Sequence, residues 1–96
     1  MNTFEWITMD GSKATVGITK EALKEIGEIV YVELPKVGSH VEKGQEVVVL
    51  ESTKAAIDLY SPLTGKISSV NQALIENVAL INHASEKDGW LYTIES

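Results

Sequence analysis

The stretch that decides the fold is ESTKAAIDLYSPLTG, residues 51–65. The apolar run Glu46–Leu50 leads into it, and the segment Ile57–Tyr60 lies within it, so strand patterns stand on both sides of a short middle segment. That middle segment is Ser52–Ala56, a set of small neutral side chains around a single lysine, Lys54. The stretch is therefore predicted to form a β-hairpin with Lys54 near its tip.

Most of the remaining chain also has the pattern of short strands separated by turn residues. Asp10-Gly11 is a hairpin signal, because both residues tolerate a positive φ. Pro35 ends the alternating segment that precedes it, because proline cannot donate a hydrogen bond to a neighbouring strand. These features predict strands at Glu5–Met9, Lys13–Ile18, Ile29–Leu34, Lys66–Val70 and Trp90–Ile94.

One short helix is predicted at residues 20–26. Thr19 is suited to cap its N-terminus, and Gly27 follows its last residue, where a glycine commonly ends a helix. Ala22, Leu23 and Ile26 give it an apolar face. The segment Asn71–Asn77 could be a second short helix, and its pattern leaves that alternative open.

An internal repeat becomes visible when the chain is shifted by thirty-three positions. The halves 29–50 and 62–83 then match in residue type, and Glu51–Ser61 joins them as the hairpin. Glycine and asparagine most readily adopt the left-handed conformation of tight turns, so matched turns are expected in both halves. The fold class is therefore predicted as mostly β, a sandwich or flattened barrel of two small antiparallel sheets with quasi-twofold symmetry, although chance could also produce the coincidences. The matched pairs include Leu34 with Ile67, Val37 with Val70, Gly38 with Asn71, and Gly44 with Asn77.

Composition excludes several classes of function. The 96 residues carry eight positive and fourteen negative charges, a net charge of −6, which disfavours binding to nucleic acid through phosphates. Cysteine is absent, so disulfides, thiolate metal sites and cysteine nucleophiles are excluded. No apolar run approaches the ~20 residues of a membrane span. We expect one domain over residues 1–96, monomeric and cytoplasmic, without a metal.

Lys54 is the candidate for chemistry. A lysine at a tight turn projects into solvent and offers an amine that another enzyme can acylate. The alternative from spacing alone is that Lys54 is one of eight ordinary surface lysines. His40 and His83 are isolated from one another and from suitable partners, which argues against metal ligation. The aromatic residues Trp6, Trp90 and Tyr31 are expected to fill the core.

Several motifs, taken together, resemble a known family. The hairpin stretch at residues 51–65 is similar to the lipoyl-lysine hairpin of the glycine cleavage system H protein family. Further H-protein signatures follow in the expected order, so the resemblance covers nearly the whole chain. They are Phe4-Glu5-Trp6, Ala14–Thr19, Gly27–Pro35, Leu80-Ile81-Asn82 and Asp88–Leu91.

The resemblance implies a lipoyl-domain-like barrel-sandwich hybrid and the function of a carrier, not an enzyme. Lipoate would be joined to Lys54 as an amide. The arm would shuttle an aminomethyl group of glycine catabolism between glycine decarboxylase, aminomethyltransferase and dihydrolipoyl dehydrogenase. A lipoate ligase or lipoyltransferase would attach it.

The resemblance also implies roles for three carboxylates. Glu5 and Asp58 match positions at which the family's loaded arm meets acidic groups, and a cationic amine is well held by carboxylates. The alternatives are a solvated strand carboxylate for Glu5, and hairpin solubility or recognition by the lipoylating enzyme for Asp58. Glu51 flanks the hairpin on its other side and is a further candidate for arm recognition or docking.

Other functions remain as alternatives to glycine cleavage. The sequence ends at Ser96, so the resemblance implies a short H-like member without the family's usual C-terminal helical segment. An H-like carrier or relay of lipoate for another system, and an unmodified interaction module, therefore stay open. A biotin carrier is disfavoured, because that family has methionine on both sides of its lysine, where this chain has Thr53 and Ala55. A free-standing enzyme is disfavoured by the small core.

Overall fold

A computed structural model describes residues 5–84 and 89–96. Phe4 and Asp88, which belong to two of the signature motifs, lie outside the described residues. Each predicted strand is present, with ends that differ by at most two residues, and the two-residue strand β4 was not predicted. The element order is β1 Glu5–Asp10, β2 Lys13–Ile18, α1 Lys20–Ile26, β3 Ile29–Glu33, β4 His40–Val41, β5 Glu46–Ser52, β6 Ala56–Tyr60, β7 Gly65–Val70, α2 Ala73–Glu76, α3 Ala79–Ala84 and β8 Tyr92–Glu95.

The strands form two antiparallel sheets. One has five strands in the order β1-β2-β8-β7-β4, and the other has three in the order β3-β5-β6. Alternation along each strand places apolar side chains on the inner faces, where the two sheets share one core. The mostly β barrel-sandwich fold is thereby confirmed. Fully buried core residues include Val16, Ile67 and Ile94 from the larger sheet and Val48, Leu50 and Leu59 from the smaller one.

Helix α1 begins and ends at the predicted residues. The Thr19 hydroxyl accepts a hydrogen bond from the Ala22 N–H at 3.2 Å, and Gly27 ends the helix with φ 87°. Ala22 and Ile26 are buried. Helix α2 lies within Asn71–Asn77, the segment whose pattern allows a second helix, whereas no sequence pattern predicts α3. Among the described residues, no helix is long and apolar enough to cross a membrane.

The expectation for the paired asparagines is wrong. Gly38 and Gly44 have φ of 90° and 87°, but no described residue other than glycine has a positive φ. Asn71 instead uses its side chain, which donates a hydrogen bond to the Trp90 carbonyl at 2.9 Å. Asn77 ends α2, with φ −146°. Both asparagines therefore serve hydrogen bonding or helix termination, and not left-handed turns.

The expectation for the aromatic core is also wrong in part. Tyr31 is 50% exposed because it points outward from β3. Trp6 and Trp90 are only half-buried. The Trp6 indole lies on Gly17, where any Cβ would collide with the ring, so Trp6 covers the outer side of β2. Among the described aromatic residues, Tyr92 is the one that fills the core, with 1% of its surface exposed.

Asn82 joins α3 to the start of β3. Its side-chain oxygen accepts a hydrogen bond from the Ile29 N–H at 2.9 Å, and its side-chain nitrogen donates to the Ile29 carbonyl at 3.0 Å. The amide thus pairs with Ile29 as a neighbouring strand would. Ile29 is itself paired with Ser52 at the end of β5, so this contact supports the base of the hairpin tip.

We predict that Asn82→Ala lowers the free energy of unfolding by about 1–3 kcal/mol, because both polar groups of Ile29 lose their partner. Urea denaturation followed by circular dichroism measures the change. Asn77→Ala is the matched control, since that side chain is exposed, and a change within about 0.5 kcal/mol is expected. Equal urea midpoints for Asn82→Ala and the unsubstituted protein would contradict the assigned role.

Candidate functional site

Lys54 lies in the turn between β5 and β6. The Ser52 N–H donates to the Ala55 carbonyl at 2.8 Å, which closes the turn. The Ser52 hydroxyl oxygen accepts hydrogen bonds from the N–H groups of Lys54 and Ala55, both at 3.0 Å. The turn is therefore held by its own serine, and the side chain of Lys54 is exposed.

The tip is also anchored to the end of α1. The Thr53 N–H donates to the Glu28 carbonyl at 3.0 Å. A Cβ at Gly27 would lie 3.3 Å from the Thr53 Oγ1 and 3.5 Å from the Lys54 Cδ, so the lysine stem rests over this glycine. Gly27 is needed for two reasons, its positive φ and this close approach.

The amine of Lys54 is accessible for modification. Among the residues that the structure describes, its Nζ takes part in no ion pair, and its neighbours Thr53, Ala55 and Ala56 are small and exposed. An acyl group bound there would meet little steric obstruction. An exposed amine on a fixed turn fits the amide attachment of a cofactor arm.

Glu51 and Asp58 lie on the outer face of the three-stranded sheet. Glu51 pairs with Ala56 and Asp58 pairs with Val49, and both carboxylates are exposed. The charge of Asp58, together with a hydrogen bond from the protonated form of Glu46, raises the pKa of Glu46. These carboxylates therefore form an acidic strip along the hairpin.

Glu5 stands apart from that strip. It pairs with Ile18 in the five-stranded sheet and is half-buried, and this burial raises the pKa of its carboxyl. The charge of Glu5 raises the pKa of Tyr92, whereas the charge of Asp58 raises the pKa of Glu46. The resemblance groups Glu5 and Asp58 together. In the structure they lie on different strands and have different neighbours.

Two features of this region were missed by the sequence reasoning. Tyr92 brings a buried hydroxyl near Glu5, and the inward position of a tyrosine in the alternating segment at residues 90–94 is the signal that could have found it. A cavity of about 390 Å³ lies beside the tip, between α1 and α3. Its lining is Lys20, Leu23, Lys24, Gly27, Glu28, Asn82 and His83.

The histidines show no arrangement for a metal. His40 Nε2 lies 2.7 Å from Glu42 Oε2 on the exposed surface, far in the chain from His83. Within residues 5–84 and 89–96, no group of three or more His, Cys, Asp or Glu side chains could hold a metal ion.

Comparison with known proteins agrees with this geometry. The family described as Glycine cleavage H-protein matches residues 1–96. The glycine cleavage system H protein of Thermotoga maritima is 48% identical over 93 residues, which are 97% of this chain and 75% of the relative. That of Legionella pneumophila (strain Corby) is 45% identical over 93 residues, 97% of this chain and 74% of the relative.

A solved structure shows the same fold. The crystal structure of a glycine cleavage system H protein from Mycobacterium marinum superposes with a TM-score of 0.87 at 37% identity. The match covers 96% of this chain and 77% of that one. Two antiparallel sheets with an exposed lysine on a tight hairpin define a carrier domain of the barrel-sandwich kind. This chain belongs to the glycine cleavage H-protein family.

We predict that Gly27→Ala displaces the hairpin tip. The substitution combines backbone strain at φ 87° with contact to Thr53 and Lys54, and it should lower the free energy of unfolding by about 1–3 kcal/mol. The tip is read from the amide resonances of Thr53 and Lys54 in a ¹⁵N-correlated NMR spectrum.

Gly44→Ala is the matched control for this prediction. Gly44 has the same φ of 87°, but a Cβ there meets nothing within 4 Å. Both variants should be destabilised, and only Gly27→Ala should shift the Thr53 and Lys54 amides. Unshifted tip amides in Gly27→Ala would show that the glycine does not support the tip.

Proposed function

We propose that Lys54 carries lipoate as an amide, and that through it this chain serves as the lipoyl carrier of glycine cleavage. The observation that carries the proposal is the exposed Lys54 amine on a turn that is held by Ser52 and anchored to Glu28. Family membership supports the same role. In this role the chain is a cytoplasmic carrier and not an enzyme.

When bound, lipoate supplies a redox-active disulfide at the end of a long arm, to which a one-carbon amine can be attached. The chain itself contains no cysteine, so it has no other disulfide to offer. The proposed partners are glycine decarboxylase, aminomethyltransferase and dihydrolipoyl dehydrogenase, with a lipoate ligase or lipoyltransferase for attachment.

The contribution of the hairpin is to present the lysine in one place. The two hydrogen bonds to the Ser52 hydroxyl and the one to the Glu28 carbonyl hold the turn, while the side chain of Lys54 is exposed. Each partner therefore meets the attachment point at the same position relative to the sheets.

The carboxylates divide into two proposed roles. Glu5 is half-buried, and in its charged form it would hold the protonated amine of a loaded arm by a charge-assisted hydrogen bond. Glu51 and Asp58 are exposed on the hairpin's outer face, where a basic entrance of a partner or of the lipoylating enzyme would meet them.

Intact-mass measurement of the protein from its native cell tests the attachment. We expect a mass increase of one lipoyl amide, lost in Lys54→Arg because arginine cannot form that amide. Lys43→Arg is the control, since Lys43 is an exposed loop lysine and its loss should leave the increment unchanged. A uniformly unmodified pool would support an interaction module instead, and an increment that matches biotin would support a biotin carrier.

The role of Glu5 is tested on lipoylated protein loaded with the aminomethyl group. Glu5→Gln should release the group roughly three- to tenfold faster, because a neutral amide replaces a charged acceptor. Lipoylation should be unaffected. Asp58→Asn separates the two acids, and it should leave the release rate unchanged. Equal release from Glu5→Gln and the unsubstituted protein would remove Glu5 from the site.

A further inference from the structure

Tyr92 places a polar group in the core. It begins β8, pairs with Val16 on one side and Val70 on the other, and is 1% exposed. Among the described residues its hydroxyl has no hydrogen-bond partner. A buried hydroxyl without a partner loses its hydration and regains nothing, so such a group calls for an explanation.

Glu5 lies within reach of this hydroxyl. Residues paired across a sheet point to the same face, so Glu5 shares the face of Ile18, and Tyr92 shares that of Val16, two residues earlier on β2. One strand separates β1 from β8, which puts the two Cα atoms roughly 12 Å apart. A tyrosine and a glutamate that extend toward each other can span this separation.

Ser61 is the other polar side chain that acts on Tyr92, and it does so as a donor, which lowers the pKa of Tyr92. The two hydroxyls are not bonded in the structure, where the Ser61 hydroxyl donates to the Leu63 carbonyl at 2.6 Å. Burial and the charge of Glu5 together raise the pKa of Tyr92, so the hydroxyl stays protonated and can only donate to a carboxylate.

Within residues 5–84 and 89–96, few charged groups lie on the elements that pack around Glu5. On β1 and β2, Asp10 and Lys13 pair at the far end from Glu5, and Glu95 on β8 lies opposite Lys13. Lys20 and Glu21 begin α1 just after Ile18. Burial is the cause that raises the pKa of Glu5.

In the structure the Tyr92 hydroxyl and the Glu5 carboxylate are not bonded to each other. We propose that a rotation of the Glu5 side chain brings the two together, so that Tyr92 is a positioning residue whose hydroxyl donates a hydrogen bond to the charged Glu5 carboxylate and fixes its position. A hydroxyl-to-carboxylate bond is of the strong, charge-assisted kind. This hydrogen bond opposes the rise that burial causes in the pKa of Glu5, and so it keeps the carboxyl ionised. The functional meaning of this contact rests on the proposed role of Glu5, but the contact itself does not depend on lipoylation.

Carbon-13 NMR titration of the Glu5 carboxyl in unlipoylated protein tests the contact. In Tyr92→Phe the ring stays in the core and only the donor is lost, so the pKa of Glu5 should rise by roughly 0.5–1 unit. Tyr31→Phe is the control, because Tyr31 lies on the outer face of the other sheet, and it should leave the Glu5 titration unchanged. An unchanged titration in Tyr92→Phe would overturn the proposal.

A second measurement needs no substitution of Tyr92. In the unsubstituted protein the ¹³Cζ resonance of Tyr92 should follow the titration of Glu5, and Glu5→Gln should abolish that response. A Tyr92 resonance that does not change across the Glu5 titration would also overturn the proposal, even if Tyr92→Phe failed to fold.

Release of the aminomethyl group from loaded protein distinguishes the proposed Tyr92 contact from the proposed role of Glu5 in holding the arm. In Tyr92→Phe, the release of the aminomethyl group should accelerate at a higher pH than in the unsubstituted protein, following the raised pKa of Glu5. Unchanged release in Glu5→Gln, together with an intact NMR coupling, would remove Glu5 from the arm site and leave the Tyr92 contact standing. A shifted release profile without an NMR coupling would show that Tyr92 acts only through packing.

Discussion

The hydrogen bond from the Thr53 N–H to the Glu28 carbonyl is the contact on which the rest of the site depends. It joins the tip of the β5–β6 hairpin to the residue that follows the glycine cap of α1. Without it the turn would be held only at its base and by Ser52. The short helix thus serves mainly as a platform, and Gly27 is the point at which a side chain would push the tip away.

Helix α3 also supports the hairpin tip, through the start of β3. Asn82 satisfies both backbone groups of Ile29, and Ile29 pairs with Ser52 at the end of β5. A chain of contacts therefore runs from α3 through the start of β3 to the turn. Each contact satisfies a backbone group, so hydrogen bonding contributes directly to the position of the tip.

The hairpin and most strands could be predicted because their signals are local. Alternation, the Asp10-Gly11 turn and the Thr19 and Gly27 caps each act within a few positions, and their predictions agree with the structure. The contacts that complete the site are not local. Asn82 and Ile29 lie 53 positions apart, and no periodicity relates them.

The carboxylates show the same difference between positions that local sequence predicts and positions that depend on distant parts of the chain. Glu51 and Asp58 flank a predicted turn, so their place on the hairpin follows from sequence. The neighbours of Glu5 depend on the order β1-β2-β8, which brings the two ends of the chain into one sheet. Sequence spacing could not disclose that order, and so it could not disclose that a tyrosine hydroxyl would share the environment of Glu5. Asn71 and Asn77 likewise match the composition of turn residues, but Asn71 donates to the Trp90 carbonyl and Asn77 ends a helix.

The anchored turn makes Lys54 a fixed pivot. Since the backbone at the apex is held in place, the volume swept by anything attached there is set by the side chain and its load alone. A smaller swept volume means a higher effective concentration of the carried group wherever a partner has docked. In the proposed carrier, a rigid backbone at the point of attachment would therefore favour frequent encounters of the attached group with each docked partner.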